Sequence, residues 1–118
     1  MKIMTIYIEN DRAEIVQTSG ECVHECIYIP DSCKADLMIN RYDDWSVELD
    51  EDEVEFLIRA IGEFKAYTIT WKSDISLYRY IFDLSDKLDF IIDNDNGSVK
   101  NGKEITAMNL NEFSNWIS

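Results

Sequence analysis

Cys22, His24 and Cys26 sit at alternate positions in an apolar stretch, and Cys33 follows shortly after. Two thiolates, an imidazole and a third thiolate form a valid zinc donor set. Their spacing argues against one. Structural zinc sites draw ligand pairs from tight turns, whereas positions i, i+2 and i+4 of a straight strand spread over about 13 Å at ~3.3 Å per residue. The residues are therefore expected to line one face of a single strand over 22–29, beside Tyr28, with no metal. His24 is the sole histidine, and no oxyanion donor or orienting group accompanies it, so a Cys–His nucleophile is not expected either. An odd number of cysteines cannot all pair within the chain and reads as reduced thiols.

Asp93-Asn94-Asp95-Asn96-Gly97 invites a calcium reading, with Glu104 twelfth in the frame. The EF-hand loop needs glycine at position six, but here glycine is fifth and Ser98 sixth. Turn chemistry accounts for the segment as well. No cofactor is expected.

The third cluster is acidic. Asp43, Asp44, Glu48, Asp50, Glu51, Asp52, Glu53 and Glu55 fall within thirteen positions that hold no lysine or arginine. Helix capping explains Glu51 to Glu53, because acids favour the positive end of a helix dipole. It does not explain Asp43, Asp44 and Glu48. Nor does it explain a whole-chain balance of 24 acidic against 11 basic residues, a net charge of −13. Self-repulsion at that charge costs stability, which points to a use for the field, and charge of this kind governs association rather than fold.

The elements that would carry these groups follow from hydrophobic period. Residues 2–9 read as a strand apolar on both faces, with a hairpin turn at Asn10-Asp11 and a weaker return strand at Ala13, Ile15 and Val16. Further strands are expected at 22–29, 36–41 and 45–49, where Trp45, Val47 and Leu49 alternate with polar residues. The period then lengthens. Asp50 is the N-cap of a helix over about 51–63 with Val54, Leu57, Ile58 and Ile61 at helical spacing. Residues 66–72 form a strand with Tyr67, Ile69 and Trp71 on one face. Ser73 or Asp74 caps a helix over about 74–88, its stripe formed by Leu77, Ile81, Leu84 and Leu88. A C-terminal hairpin follows at 90–99, with Asn-Gly turns at 96–97 and 101–102. Asn109 and Glu112 cap a last short helix carrying Leu110, Phe113 and Ile117. The expected fold class is α+β: an antiparallel or mixed sheet, two main helices on it, and a C-terminal hairpin plus short helix. Trp45, Tyr67, Ile69, Trp71, Leu77, Ile81 and Leu84 are the expected core.

With 118 residues, 46% of them hydrophobic, the chain is expected to form one domain with a real core. Its negative field disfavours direct binding to nucleic acid or an anionic membrane. No apolar run reaches the ~18 residues of a membrane span, and Met1 to Thr5 show no signal-peptide core, so a cytoplasmic protein is expected. No Walker or G-x-G-x-x-G pattern is present.

The stretch from Leu77 to Phe113 resembles small bacterial immunity proteins of polymorphic toxin systems, including contact-dependent growth inhibition. It places an apolar helix, then Leu88-Asp89-Phe90-Ile91-Ile92-Asp93-Asn94-Asp95-Asn96-Gly97, a polar return strand, Gly102-Lys103-Glu104 and a closing helix in that order. The resemblance implies a non-enzymatic inhibitor of a cognate toxin domain, often a basic nuclease. The expected docking face comprises Asp43, Asp44, Glu48, Asp50, Glu51 and Asp52, with Asp93 and Asp95 on the hairpin as a second candidate. A phage-encoded nucleic-acid mimic, such as an anti-CRISPR protein, shares the size and charge and is the alternative.

Overall fold

Strand β1 (Lys2–Glu9) is apolar on both faces because it runs through the middle of the molecule. The computed structural model describes residues 2–10, 21–23, 26–31, 34–42, 49–94 and 98–118. Within them β1 lies between β5 (Phe64–Trp71) and β6 (Phe90–Asp93). Its register with β5 runs unbroken from Lys2 opposite Trp71 to Glu9 opposite Phe64. The sheet continues through β4 (Lys34–Arg41), β3 (Cys26–Asp31) and β2 (Glu21–Val23) on one side and β7 (Val99–Asn101) on the other. Every neighbouring pair is antiparallel. The protein is an α+β fold.

Period-two alternation sends each strand's side chains to two faces. Met4, Ile6 and Ile8 of β1, Tyr67, Ile69 and Trp71 of β5, and Phe90 and Ile92 of β6 face the main core. That face is covered by α2 (Asp74–Ser85), α3 (Gly102–Thr106) and α4 (Leu110–Ile117). Leu77, Tyr80, Ile81 and Leu84 of α2, Ile105 of α3, and Phe113 and Ile117 of α4 are all buried there. The expected core residues from Tyr67 to Leu84 are in place; Trp45 lies outside the described residues. Ser73 stands at the N-cap of α2 without a side-chain capping bond. Asp74 instead accepts from the Trp71 indole Nε1–H at 2.9 Å, tying the end of β5 to the helix start.

The opposite face carries Tyr7, Ala66 and Ile91, covered by α1 (Glu51–Ile61) through Leu57. Asp50 caps α1 as expected, its Oδ1 accepting from the Glu53 N–H at 2.8 Å. Gly62 closes it at φ 76°, with its N–H on the Ile58 carbonyl at 2.8 Å. Positive φ is where an L side chain would be strained, so glycine suits this exit.

Several expectations need correction. Residues 22–29 are not one strand but the hairpin arms β2 and β3, with Cys22 opposite Ile27 and Val23 opposite Cys26. Residues 22–29 hold no glycine, proline or asparagine, so the apolar run reads as continuous in the sequence. The single strand proposed to carry Cys22, His24 and Cys26 is therefore divided between two elements, and His24 lies outside the described residues. β1 is not followed by its partner: its neighbours are β5 and β6, and the Asn10 N–H continues onto the Glu63 carbonyl at 2.8 Å. Residues 13–16 lie outside the described residues. Leu49 is not in a strand but packs against the Tyr7 cluster, and 43–48 are outside the described residues. Asn101-Gly102 makes no hairpin turn. Asn101 caps α3 in a reciprocal box: its Oδ1 accepts from the Glu104 N–H at 2.9 Å, and Glu104 Oε1 accepts from the Asn101 N–H at 3.2 Å. Local helix capping wins there, with Glu104 at N3 as the signal. The same box forms as expected at Asn109 and Glu112.

Candidate functional site

Leu49 packs against the Tyr7 cluster, Asp50 turns the chain into helix α1, and the first turn Glu51-Asp52-Glu53 is exposed. Below it, β6 ends at Asp93, which pairs with Thr5 on β1 and with Val99 on β7. Tyr7 stands two pairings along β1, its ring held edge-on to Phe64 at 5.5 Å between centroids.

These parts enclose a cleft of about 270 Å³. Tyr7, Leu49 and Leu57 supply its apolar floor, and Phe56 and Val99 its walls. Asp50, Asp52 and Glu53 reach it from the helix, and Asp93 from the sheet. Among the described residues no lysine or arginine lines it. The α1 N-terminus contributes roughly half a positive charge, which four carboxylates outweigh. Among the described residues no group of three or more His, Cys, Asp or Glu could hold a metal ion; the four carboxylates line the cleft from the helix start and from the sheet.

The two acidic candidates of the sequence thus meet at one place. Asp50, Asp52 and Asp93 line the same cleft; Glu51 lies on the other flank of α1, along a groove with Val54, Glu55, Ile58 and Arg59. On that flank Arg59 pairs with Glu55 one helical turn away, both well exposed. Such a pair contributes only a few tenths of a kcal/mol, about 0.3–0.5. Asp43, Asp44, Glu48 and Asp95 lie outside the described residues.

Six lining residues were not among the expected docking residues: Tyr7, Leu49, Glu53, Phe56, Leu57 and Val99. Phe56 had a signal, since it falls off the Val54-Leu57-Ile58-Ile61 stripe and a large aromatic there must face away from the sheet. It is 49% exposed. Ile58 was expected on the buried stripe but is equally exposed; α1 buries only Leu57 fully, with Val54 and Ile61 partly covered. Val99 is an isolated apolar residue in a polar return strand and is 42% exposed.

The hairpin that carries Asp93 and Val99 is braced from the main-core side. Asn94, almost fully buried, donates from Nδ2 to the Trp116 carbonyl at 2.7 Å and accepts from the Ser98 N–H at 3.2 Å. The Trp116 indole returns a bond to the Ser98 hydroxyl at 3.1 Å.

No family model, curated protein or solved structure matches the chain. Among the described residues no helix is long and apolar enough to cross a membrane.

Proposed function

We propose that this protein is a non-enzymatic inhibitor that neutralises a basic partner domain through the acidic cleft between α1 and β6. The reading takes the partner to be a cognate toxin domain, most simply a nuclease, and the protein to be an immunity protein of a polymorphic toxin system. The observation that carries it is the convergence of Asp93 with Asp50, Asp52 and Glu53 around an apolar floor. A nuclease presents arginine and lysine to phosphates, and carboxylates in this arrangement compete for the same groups. The net charge of −13 adds long-range steering, which raises association rates by ~10–10³. Affinity then comes from a few desolvated anchors, for which the half-exposed Phe56 and Val99 are suited.

Co-expression with the polypeptide encoded directly upstream tests the reading. A stoichiometric complex that suppresses that polypeptide's toxicity, and is lost on Asp52→Lys plus Glu53→Lys, is expected. Failure to associate with it, together with competitive blocking of a host nucleic-acid-binding enzyme, would replace immunity with the nucleic-acid-mimic reading.

A further inference from the structure

We propose that the α1–β6 cleft is built for a single arginine side chain of the partner, which enters as the anchor of the interface. The proposal rests on the reading of the cleft as a docking site and adds the identity of the group it takes. At about 270 Å³ the cleft falls below the ~300–1,000 Å³ of small-molecule pockets and suits one long side chain. Its lining sets two demands. Tyr7 and Leu57 are buried beneath it, while Phe56 and Val99 leave large apolar surfaces in water beside the carboxylates. A bare cation satisfies the rim and leaves those surfaces wet; an apolar side chain covers them and leaves the carboxylates facing a low-dielectric occupant. A side chain with an apolar stem and a cationic head meets both demands.

Between the two residues of that kind, the geometry favours arginine. The carboxylates come from different elements, Asp52 and Glu53 from the helix and Asp93 from the sheet. A planar guanidinium has five donors in a fixed fork and reaches acceptors on more than one side at once. It also stacks on aromatic rings, and Phe56 lines the cleft. The lysine ammonium is a compact, strongly hydrated point charge and gains less from both features.

The test titrates isotope-labelled protein with N-acetyl-arginine amide and, separately, N-acetyl-lysine amide at matched ionic strength, following backbone amide shifts. So small a probe can reach a dissociation constant on the order of millimolar, which such shifts resolve. Saturable shifts confined to Phe56, Leu57 and Val99 and their neighbours are expected, with arginine the tighter ligand. Phe56→Ala should weaken arginine by about two- to fivefold and lysine less. Asp52→Asn plus Glu53→Gln should abolish the response, and Asp83→Asn, exposed on α2 across the sheet, should leave it intact. Absent shifts, equal affinity for the two probes, or shifts spread over acidic residues on both sides of the sheet would overturn the proposal. Loss of arginine selectivity with partner binding preserved removes the anchor alone; an intact anchor without any partner complex removes the function proposed above.

Discussion

Asn94 holds the main chain of Trp116: its Nδ2 donates to the Trp116 carbonyl at 2.7 Å, linking the end of β6 to the C-terminal helix. Its Oδ1 accepts from Ser98, so one buried amide closes the β6–β7 hairpin and fastens it to α4. Asp93, the preceding residue, lines the cleft on the opposite side of the sheet. The hairpin is thus tied to the main core on one face of the sheet and lines the cleft on the other. Asn94→Ala leaves the partly buried Trp116 carbonyl and Ser98 N–H without this partner and should cost about 1–3 kcal/mol. Chemical denaturation checks the cost, and amide shifts at Val99 check that the cleft loosens with it.

Ile81→Asp should unfold the domain. Ile81 is fully buried on α2 between the helix and the β1–β5 strands, and a charge there has no partner. The penalty of an unpaired buried carboxylate is several kcal/mol, comparable to the ~5–15 kcal/mol that holds a whole domain together. Loss of the cooperative thermal transition is the expected result; a near-wild-type Tm would place α2 in a different register.

Gly102→Ala separates helix propensity from packing. Propensity favours alanine over glycine in a helix by about 1 kcal/mol. Packing opposes it, because a Cβ at Gly102 would lie 3.0 Å from Phe90 Cε1 and Cζ and 3.2 Å from Ser85 Cβ. Phe90 is 1% exposed and packed in the main core. Overpacking of this kind costs about 1–3 kcal/mol, so the substitution should destabilise. A raised Tm would show that Phe90 yields.

Asn109→Ala should cost about 1 kcal/mol through loss of its bond from the Glu112 N–H at 2.8 Å. The reciprocal bond, Glu112 Oε1 to the Asn109 N–H, does not depend on the asparagine side chain and should persist. Glu112→Gln keeps the box geometry and should cost less than Asn109→Ala; thermal melts of both variants check the order.

Periodicity made the second half of the chain legible. Tyr67-x-Ile69-x-Trp71 and Leu77, Ile81 and Leu84 each bury one clean face against the same core, so the pattern and the packing say the same thing. Asp50 and Asn109 announced their helices because capping is local chemistry. The N-terminal third was less legible because strand pairing is not local. Nothing in residues 2–9 states that the partners are β5 and β6, both far along the chain. The site was half legible for the same reason. The acids of α1 and Asp93 could be named separately, but their meeting across Tyr7 is a product of the β1–β6 ladder. Asn101-Gly102 misled because the same dipeptide suits a type I′ turn and an N-cap followed by a small first residue.

The central claim is that the α1–β6 carboxylates dock a basic partner, and the most direct measurement is the affinity for the upstream-encoded domain as a function of salt. Raising ionic strength from about 0.01 M to about 1 M contracts electrostatic screening from ~30 Å to ~3 Å. The account predicts that association slows steeply over that range. It further predicts that Asp52→Lys plus Glu53→Lys weakens binding at least about tenfold, or ~1.4 kcal/mol, at low salt. Binding that is equally tight at both ends of the salt range and indifferent to the charge reversal would contradict it.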